Sequence, residues 1–159
     1  MAIFMKAGDL KGSVDTEQYR AWILIDSFNF GAEAPVDPAT ASGANRQGTH
    51  ASVTEINLTK QLDPTSVYLW MLTLTSKHLK QVDLAMTRAD HDNSEYLHIR
   101  LWDVRITKWQ MGANSHDRPS ETLSVNFTKV ELKETEQSVT GANATVFAAT
   151  FDLAKQKLA

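Results

Sequence analysis

Two interruptions in an otherwise regular alternation of apolar and polar residues limit what this chain can fold into. In Arg118–Glu131, which reads RPSETLSVNFTKVE, Leu123, Val125 and Phe127 alternate with Ser124, Asn126 and Thr128. That is the period of a strand with one dry face. At Thr128–Lys129 the apolar positions move by one residue, and Val130 and Leu132 continue from the opposite parity. The same slip separates Leu97, Ile99 and Leu101 from Val104 and Ile106. Because side chains alternate with a period of two, a shift of one residue turns the whole apolar set over. Each slip implies a bulge, or a face whose neighbour changes from core to something else.

Other strands are predicted at Ala2–Lys6, Trp22–Phe30, Ser52–Lys60, Gln81–Arg88 and Ala144–Leu153, with turns at Gly8–Thr16, Asp90–Glu95 and Gly112–Asp117. Within Trp22–Phe30 both faces begin apolar and are expected to be buried. Its second half turns Ser27 and Asn29 to a polar face opposite Phe28 and Phe30. One helix stands out. Asp63 is a suitable N-cap, Pro64 fits the first helical position, and Leu62 with Val67 has the spacing of a hydrophobic staple. Val67, Trp70, Met71 and Leu74 share one side, and packing of that side is expected to hold the helix. The tail 154–159 carries no predicted role. Seven or eight strands around one helix, without βαβ alternation, predict a single mainly β domain over 1–159: a closed or nearly closed antiparallel barrel.

The segment 31–50 is the least patterned. Pro35, Pro38, Gly43 and Gly48 punctuate it, and no apolar period runs through it. A connection this long reads as a mobile surface loop or as a contact arm that orders against a neighbouring subunit.

Composition narrows the function. The chain has 159 residues, is 42% hydrophobic and carries a net charge of -3, so there is no basic excess to favour nucleic acid. With no cysteine, disulfides, thiolate metal sites and a cysteine nucleophile are excluded. Met1–Leu10 lacks the apolar run and cleavage site of a secretory signal, and no stretch approaches the roughly 20 apolar residues of a spanning helix. Neither signal-dependent export nor membrane insertion is expected.

No chemistry is assembled in the sequence. Asn114–Ser115–His116–Asp117 holds the residue types of a hydrolase triad, but consecutive turn residues point apart and read as a turn. The five histidines, at 50, 78, 91, 98 and 116, show no ligand spacing, and no phosphate-cradling glycine loop is present. The aromatic residues interleave with core positions, without the clustered basic residues of a base-stacking surface. No enzyme activity, metal or cofactor is expected; a building block explains the pattern better.

Residues along nearly the whole chain carry a resemblance. They include the opening MAIFMKAGDLKG, Ile25–Gly31, Glu55–Ile56 with Leu58–Lys60, Leu62–Asp63, Leu84 with Thr87–Arg88, Asp117–Lys129 (DRPSE…LSVNFTK, the most specific), and Thr150–Lys155. In order and spacing these resemble the Hcp family, the haemolysin-coregulated proteins whose rings form the inner tube of the bacterial type VI secretion system. The chain departs from the commoner pattern in the helix, where WMLTLT replaces softer residues, and 32–46 has no matching motif.

The resemblance implies a homo-hexameric ring of barrel protomers, similar to phage tail-tube proteins, with no catalytic residues. Rings would stack into a tube, carry small effector proteins in the lumen, and be expelled by a contractile sheath working with baseplate and spike proteins. The subunit would lie in the bacterial cytoplasm before firing and then be secreted without a cleavable signal. Strand parity together with this resemblance predicts Ser27, Asn29, Asn57 and Thr59 on the lumen face. Pro35, Val36, Pro38 and Arg46 are expected in the ring-to-ring arm, and Trp22, Ile23, Val130 and Leu132 at the side-to-side interface. A tail-tube-like protein of another contractile particle and a monomeric ligand-binding barrel are the alternatives.

Overall fold

Alternating apolar residues form strands where the sequence predicts them, and the phase slips decide how those strands are shared. The computed structural model describes residues 1–35, 50–89, 94–136 and 145–159. In chain order these form β1 (Ala2–Ala7), a 3-10 turn at Glu17–Tyr19, β2 (Ile23–Ile25), β3 (Ser27–Asn29), β4 (Ala32–Glu33), β5 (Ser52–Val53) and β6 (Ile56–Gln61). Then follow α1 (Ser66–Thr75), β7 (Leu79–Thr87), β8 (Glu95–Gly112), β9 (Ser120–Asn126), β10 (Lys129–Glu136), β11 (Thr145–Asp152) and β12 (Lys157–Leu158). The tail does have a partner: β12 pairs with β11 through Phe151–Leu158 and Asp152–Lys157. Of the turn expected at Asp90–Glu95, residues 90–93 lie outside the described residues, as do 137–144.

Both slips fall at one corner. β8 pairs with β10 up to Trp102–Lys129 and with β9 from Arg105–Asn126, so the slips at Asp103 and Thr128 lie opposite each other in register. Asp103 is left-handed, with φ 51°. That conformation turns the strand over, so Leu101 and Val104 both enter the core. The ladder with β7 keeps one register across the corner, from Val82–Leu101 to Leu79–Val104. Across the corner the Thr128 N–H donates to the Trp102 carbonyl at 3.1 Å, and the Lys129 ammonium lies 4.6 Å over the Trp102 ring. A register shift against β9 between Ile106 and Lys108 then brings Trp109 back to the inner side, opposite Leu123.

The sheet order is β12-β11-β10-β8-β7-β1-β2, all antiparallel, with β9, β6 and β3 continuing from the second half of β8. β2 and β3 meet at Asp26, where the inward parity changes from Ile23 and Ile25 to Phe28. The expected two-sided burial at Trp22–Ile25 is therefore a change of face: Leu24 is 48% exposed. Nor does a sheet close into a barrel among the described residues. β2 and β3 pair with different strands, and at the seam the Asp26 N–H donates to the Thr59 carbonyl at 2.8 Å. One core fills the folded sheet, centred on Ile23, Ile56, Leu58, Leu84, Ile99 and Leu123.

The helix forms but presents a different side. Its buried residues are Ser66 and Leu69, whereas Val67, Met71 and Leu74 are exposed and Trp70 borders a groove with Trp109 and Met111. Apolar residues all round α1 leave hydrophobicity a poor guide to its orientation. Polar anchors set it instead. The Asp63 carboxylate accepts the Thr65 N–H at 2.8 Å, and the Lys60 ammonium donates to Ser66 Oγ at 3.2 Å. Lys60 is wholly buried, 3.2 Å from Glu121 Oε2 on the neighbouring strand and 3.0 Å from Asp63 Oδ1. A charge at this depth is tolerable only with partners on every side.

Asp103→Gly should leave stability nearly unchanged in urea titrations at fixed protein concentration, while Asp103→Val should cost about 1–3 kcal/mol for forcing a β-branched residue left-handed. Lys60→Met should lose about 3–5 kcal/mol by stranding Glu121, and Lys60→Met with Glu121→Leu should recover most of it. An additive double mutant would mean that the two charges are not coupled.

Candidate functional site

The side of the folded sheet turned away from the core carries a continuous polar surface on β3, β6, β9 and the second half of β8. Two rows cross it in register. One runs Ser27, Thr59, Thr122, Gln110; the other runs Asn29, Asn57, Ser124, Lys108. Ser27 Oγ and Thr59 Oγ1 are 2.6 Å apart, and Ser124 Oγ donates to Asn57 Oδ1 at 2.7 Å. At the border, Thr107 Oγ1 donates to Glu55 Oε2 at 3.1 Å.

All four residues expected at the lumen are thus gathered on one surface. Ser27, Asn29 and Asn57 are exposed, and Thr59 is half-buried. Thr122, Ser124, Gln110 and Lys108 complete the rows and were not singled out from sequence. For Ser124 the signal was present, since it alternates with Leu123 and Val125. For Gln110 and Lys108 the shift at Thr107 hid it. Hydroxyls and amides dominate the rows, with Lys108 their one charge. Each hydroxyl and amide can donate or accept, and Lys108 can donate, so the surface can bind through hydrogen bonds to polar groups. Neither row contains a histidine, and the hydroxyl bonds just given run to other hydroxyls, an amide and a carboxylate. Among the described residues no group of three or more metal-ligating side chains is gathered.

The remaining expectations divide. Ile23 and Val130 are 0% and 5% exposed, so they belong to the core of one chain and cannot form a contact between chains. Parity assigned them to a second apolar face; the changes of face at Asp26 and at the corner turn them inward. Leu132 is 42% exposed and Trp22 is half-buried, so both reach the surface. Leu132 borders an apolar groove of about 220 Å³ shared with Phe30, Ala32, Val53, Phe151 and Leu158. Of the arm residues, Pro35 follows β4, while Val36, Pro38 and Arg46 lie outside the described residues. The base of the arm is a ladder: β4 and β5 pair through Ala32–Val53 and Glu33–Ser52, and the Thr54 N–H donates to the Gly31 carbonyl at 2.8 Å.

On the outer side of β1, β7, β8 and β10, Lys6, Asp83, Arg100 and Glu131 line up in register with alternating sign. Arg100 Nε lies 2.7 Å from Asp83 Oδ1. The Asn114–Asp117 segment is a turn, with Asn114 Oδ1 accepting the N–H groups of His116 and Asp117 at 2.9 Å each. Its polar residues close the chain on itself.

Known proteins share this fold. A protein-family model described as "Type VI secretion system effector, Hcp" matches residues 4–133. Protein hcp1 of Pseudomonas aeruginosa is 26% identical over 142 residues, which covers 88% of this chain and 86% of that protein. Among solved structures, one described as a type six secretion system protein superposes with a TM-score of 0.92 at 19% identity, covering 99% of each chain. Hcp1 from Salmonella typhimurium gives 0.80 at 22% identity over 99% of this chain and 98% of that one. A type VI secretion system effector from Yersinia pestis gives 0.75 at 25% identity over 94% and 98%. With the family match running from β1 into β10 over most of its length, this chain belongs to the Hcp family of type VI secretion system effectors.

Proposed function

We propose that this chain is the repeating subunit of a type VI secretion inner tube. Six copies close a ring, rings stack, and the tube carries small effector proteins in its lumen. A contractile sheath then expels it, with baseplate and spike proteins at its ends. The subunit waits in the bacterial cytoplasm and leaves without a cleavable signal. Its role is structural and non-enzymatic.

One observation carries this reading: the polar-faced sheet of β3, β6, β9 and the second half of β8 ends in two unshared edges. Among the described residues, β3 pairs with β6 alone, and residues 105–112 of β8 pair with β9 alone. A sheet edge presents unpaired N–H and C=O groups that favour another strand. The two edges differ, so their pairing is head to tail, and a head-to-tail contact whose rotation closes makes a ring. Continued from subunit to subunit, the sheet forms a wall with its apolar face in each protomer's core. Its polar face, with Ser27, Asn29, Asn57 and Thr59, lines the channel. Trp22 and Leu132 supply apolar contacts beside that wall. The arm that leaves through β4 and returns through β5, with Pro35, Val36, Pro38 and Arg46, reaches the next ring.

Light scattering behind a sizing column, at two concentrations, tests the assembly. The expected species has six times the 17.7 kDa chain mass. A stable monomer at both concentrations overturns the tube reading. For the lumen, Asn29→Glu should leave the ring mass unchanged while lowering the amount of small secreted effector recovered with the ring. Loss of the ring itself would make Asn29 a structural edge residue instead.

A further inference from the structure

On the outer side of the sheet, away from the polar face, a chain of hydrogen bonds runs from the 3-10 turn across two strands. Tyr19 OH donates to Glu95 Oε2 at 3.2 Å, and Glu95 Oε1 lies 3.0 Å from His98 Nδ1. His98 Nε2 lies 3.0 Å from Asp83 Oδ1, which also accepts from Arg100 Nε at 2.7 Å. Asp83 Oδ2 accepts from Gln81 Nε2 at 2.7 Å. The His98 and Asp83 side chains are only 16% and 11% exposed.

The direction of these bonds fixes the protonation of the ring. A neutral imidazole offers one N–H and one lone pair, and a lone pair aimed at a carboxylate would be repelled. Both His98 nitrogens face carboxylate oxygens. Glu95 Oε2 accepts from Tyr19, Asp83 Oδ2 from Gln81 and Asp83 Oδ1 from Arg100, donors that favour both acids as carboxylates. We propose that His98 is held as an imidazolium in the folded chain and latches the segment 12–22 to the outside of the β1–β7–β8 sheet, with alkali releasing it.

Beside the latch, the segment is held by one small apolar cluster of Phe4, Tyr19 and Ala85, with Val14 and Trp22 packed against it. Tyr19 is its buried residue, stacked on Phe4 with ring centroids 4.4 Å apart and edge-on to Trp22 at 5.1 Å. Within the segment the Gly12 N–H donates to the Ala21 carbonyl at 2.8 Å, and a Cβ at Gly12 would sit 2.3 Å from the Trp22 carbonyl oxygen. Only glycine permits that approach. The Tyr19–Glu95 bond ties the segment to β8, and Glu95 is held in place by His98.

The surrounding charges agree. From β7 there is Asp83; from β8, Glu95 and Arg100; from β10, Lys133 in register with His98 and Glu131 in register with Arg100; from β1, Lys6 opposite Asp83. Hydrogen bonding to Asp83 and then to Glu95, against burial, raises His98 to about 9. Burial pushes Asp83 up, but hydrogen bonds from His98, Arg100 and Gln81 outweigh it and hold the acid at about 2. Burial, reinforced by Glu95, pushes the Tyr19 hydroxyl up to about 12, so it stays a donor. A histidine raised above its unfolded value of about 6.5 stabilises fully below that value, and the contribution fades as pH rises through about 9. An aspartate lowered from 3.8 to about 2 stabilises above 3.8, and that contribution is lost as pH falls through 2. The stabilisation is therefore full from about pH 4 to 6.5 and fades above it, while the latch itself opens only as the folded ring loses its proton near pH 9.

Imidazole nitrogen–proton correlation spectra of the full chain, recorded from pH 5 to 10.5, test this. One of the five histidines should keep both N–H protons past pH 8, titrate near 9, and vanish in His98→Gln. Titration of every histidine between pH 6 and 7 overturns the proposal. In urea, the wild-type folding equilibrium constant should fall on the order of 100-fold between pH 6 and 10 beyond any change in His98→Gln; parallel pH profiles also overturn it. Should His98→Gln not fold, Tyr19→Phe decides the latch. It should leave the titration near 9 in place while raising hydrogen exchange in residues 12–22, and unchanged exchange there would refute the fastening role.

Discussion

The fold depends on a corner that lets one long strand serve two parts of a sheet. β8 has 18 residues, far longer than a core of this size can keep dry along one face. A straight strand of that length would carry its apolar side past the core into water. The left-handed turn at Asp103, matched across the ladder by the break at Thr128, folds the strand pair and returns both halves to the same core. β7 and β10 attach to the first half, and β9 with the underside of α1 to the second. Without the corner there would be two sheets and no shared interior.

A second level of organisation is polar. The helix is apolar on every side, so the anchors at its start decide which side it buries. Lys60 shares parity with Ile56 and Leu58, and Glu121 shares it with Leu123 and Val125; the two are register partners. Their charges meet in the interior because their strands pair there, and the same ammonium grips Ser66. What faces outward on β6 and β9 is left free for neutral hydrogen-bonding groups. One alternation thus separates a buried ion pair from an exposed polar surface one residue away.

Much of this was legible from residue order alone. Period-2 alternation located the main strands, and the two slips marked the corner, although not that they face each other, since register between distant strands is invisible in one chain. Ser27, Asn29, Asn57 and Thr59 were legible as a polar face for the same reason. Ile23 and Val130 were misread because parity shows that a face changes without showing which of the two stays inside. The buried side of α1 was illegible to any count of apolar residues, and β12 was too short to carry a period. Lys60 and Glu121 were readable by parity, but charged residues at strand ends ordinarily mark solvent, and only their pairing overrides that rule. Barrel closure is a property of the seam at Asp26, where local sequence says little.

The Lys60 cluster also bears on the order in which the chain folds. Asp63 and Ser66 are three and six residues from Lys60 and can meet it as the helix forms, whereas Glu121 is 61 residues away. The ammonium stays hydrated until β9 arrives, because loop closure over that distance must precede the contact. Its desolvation therefore waits for β9 to pair with β6. Interactions completed after the rate-limiting step leave the folding rate almost untouched and slow the reverse reaction instead. Where that closure follows the rate-limiting step, the pair resists opening more than it hastens closing.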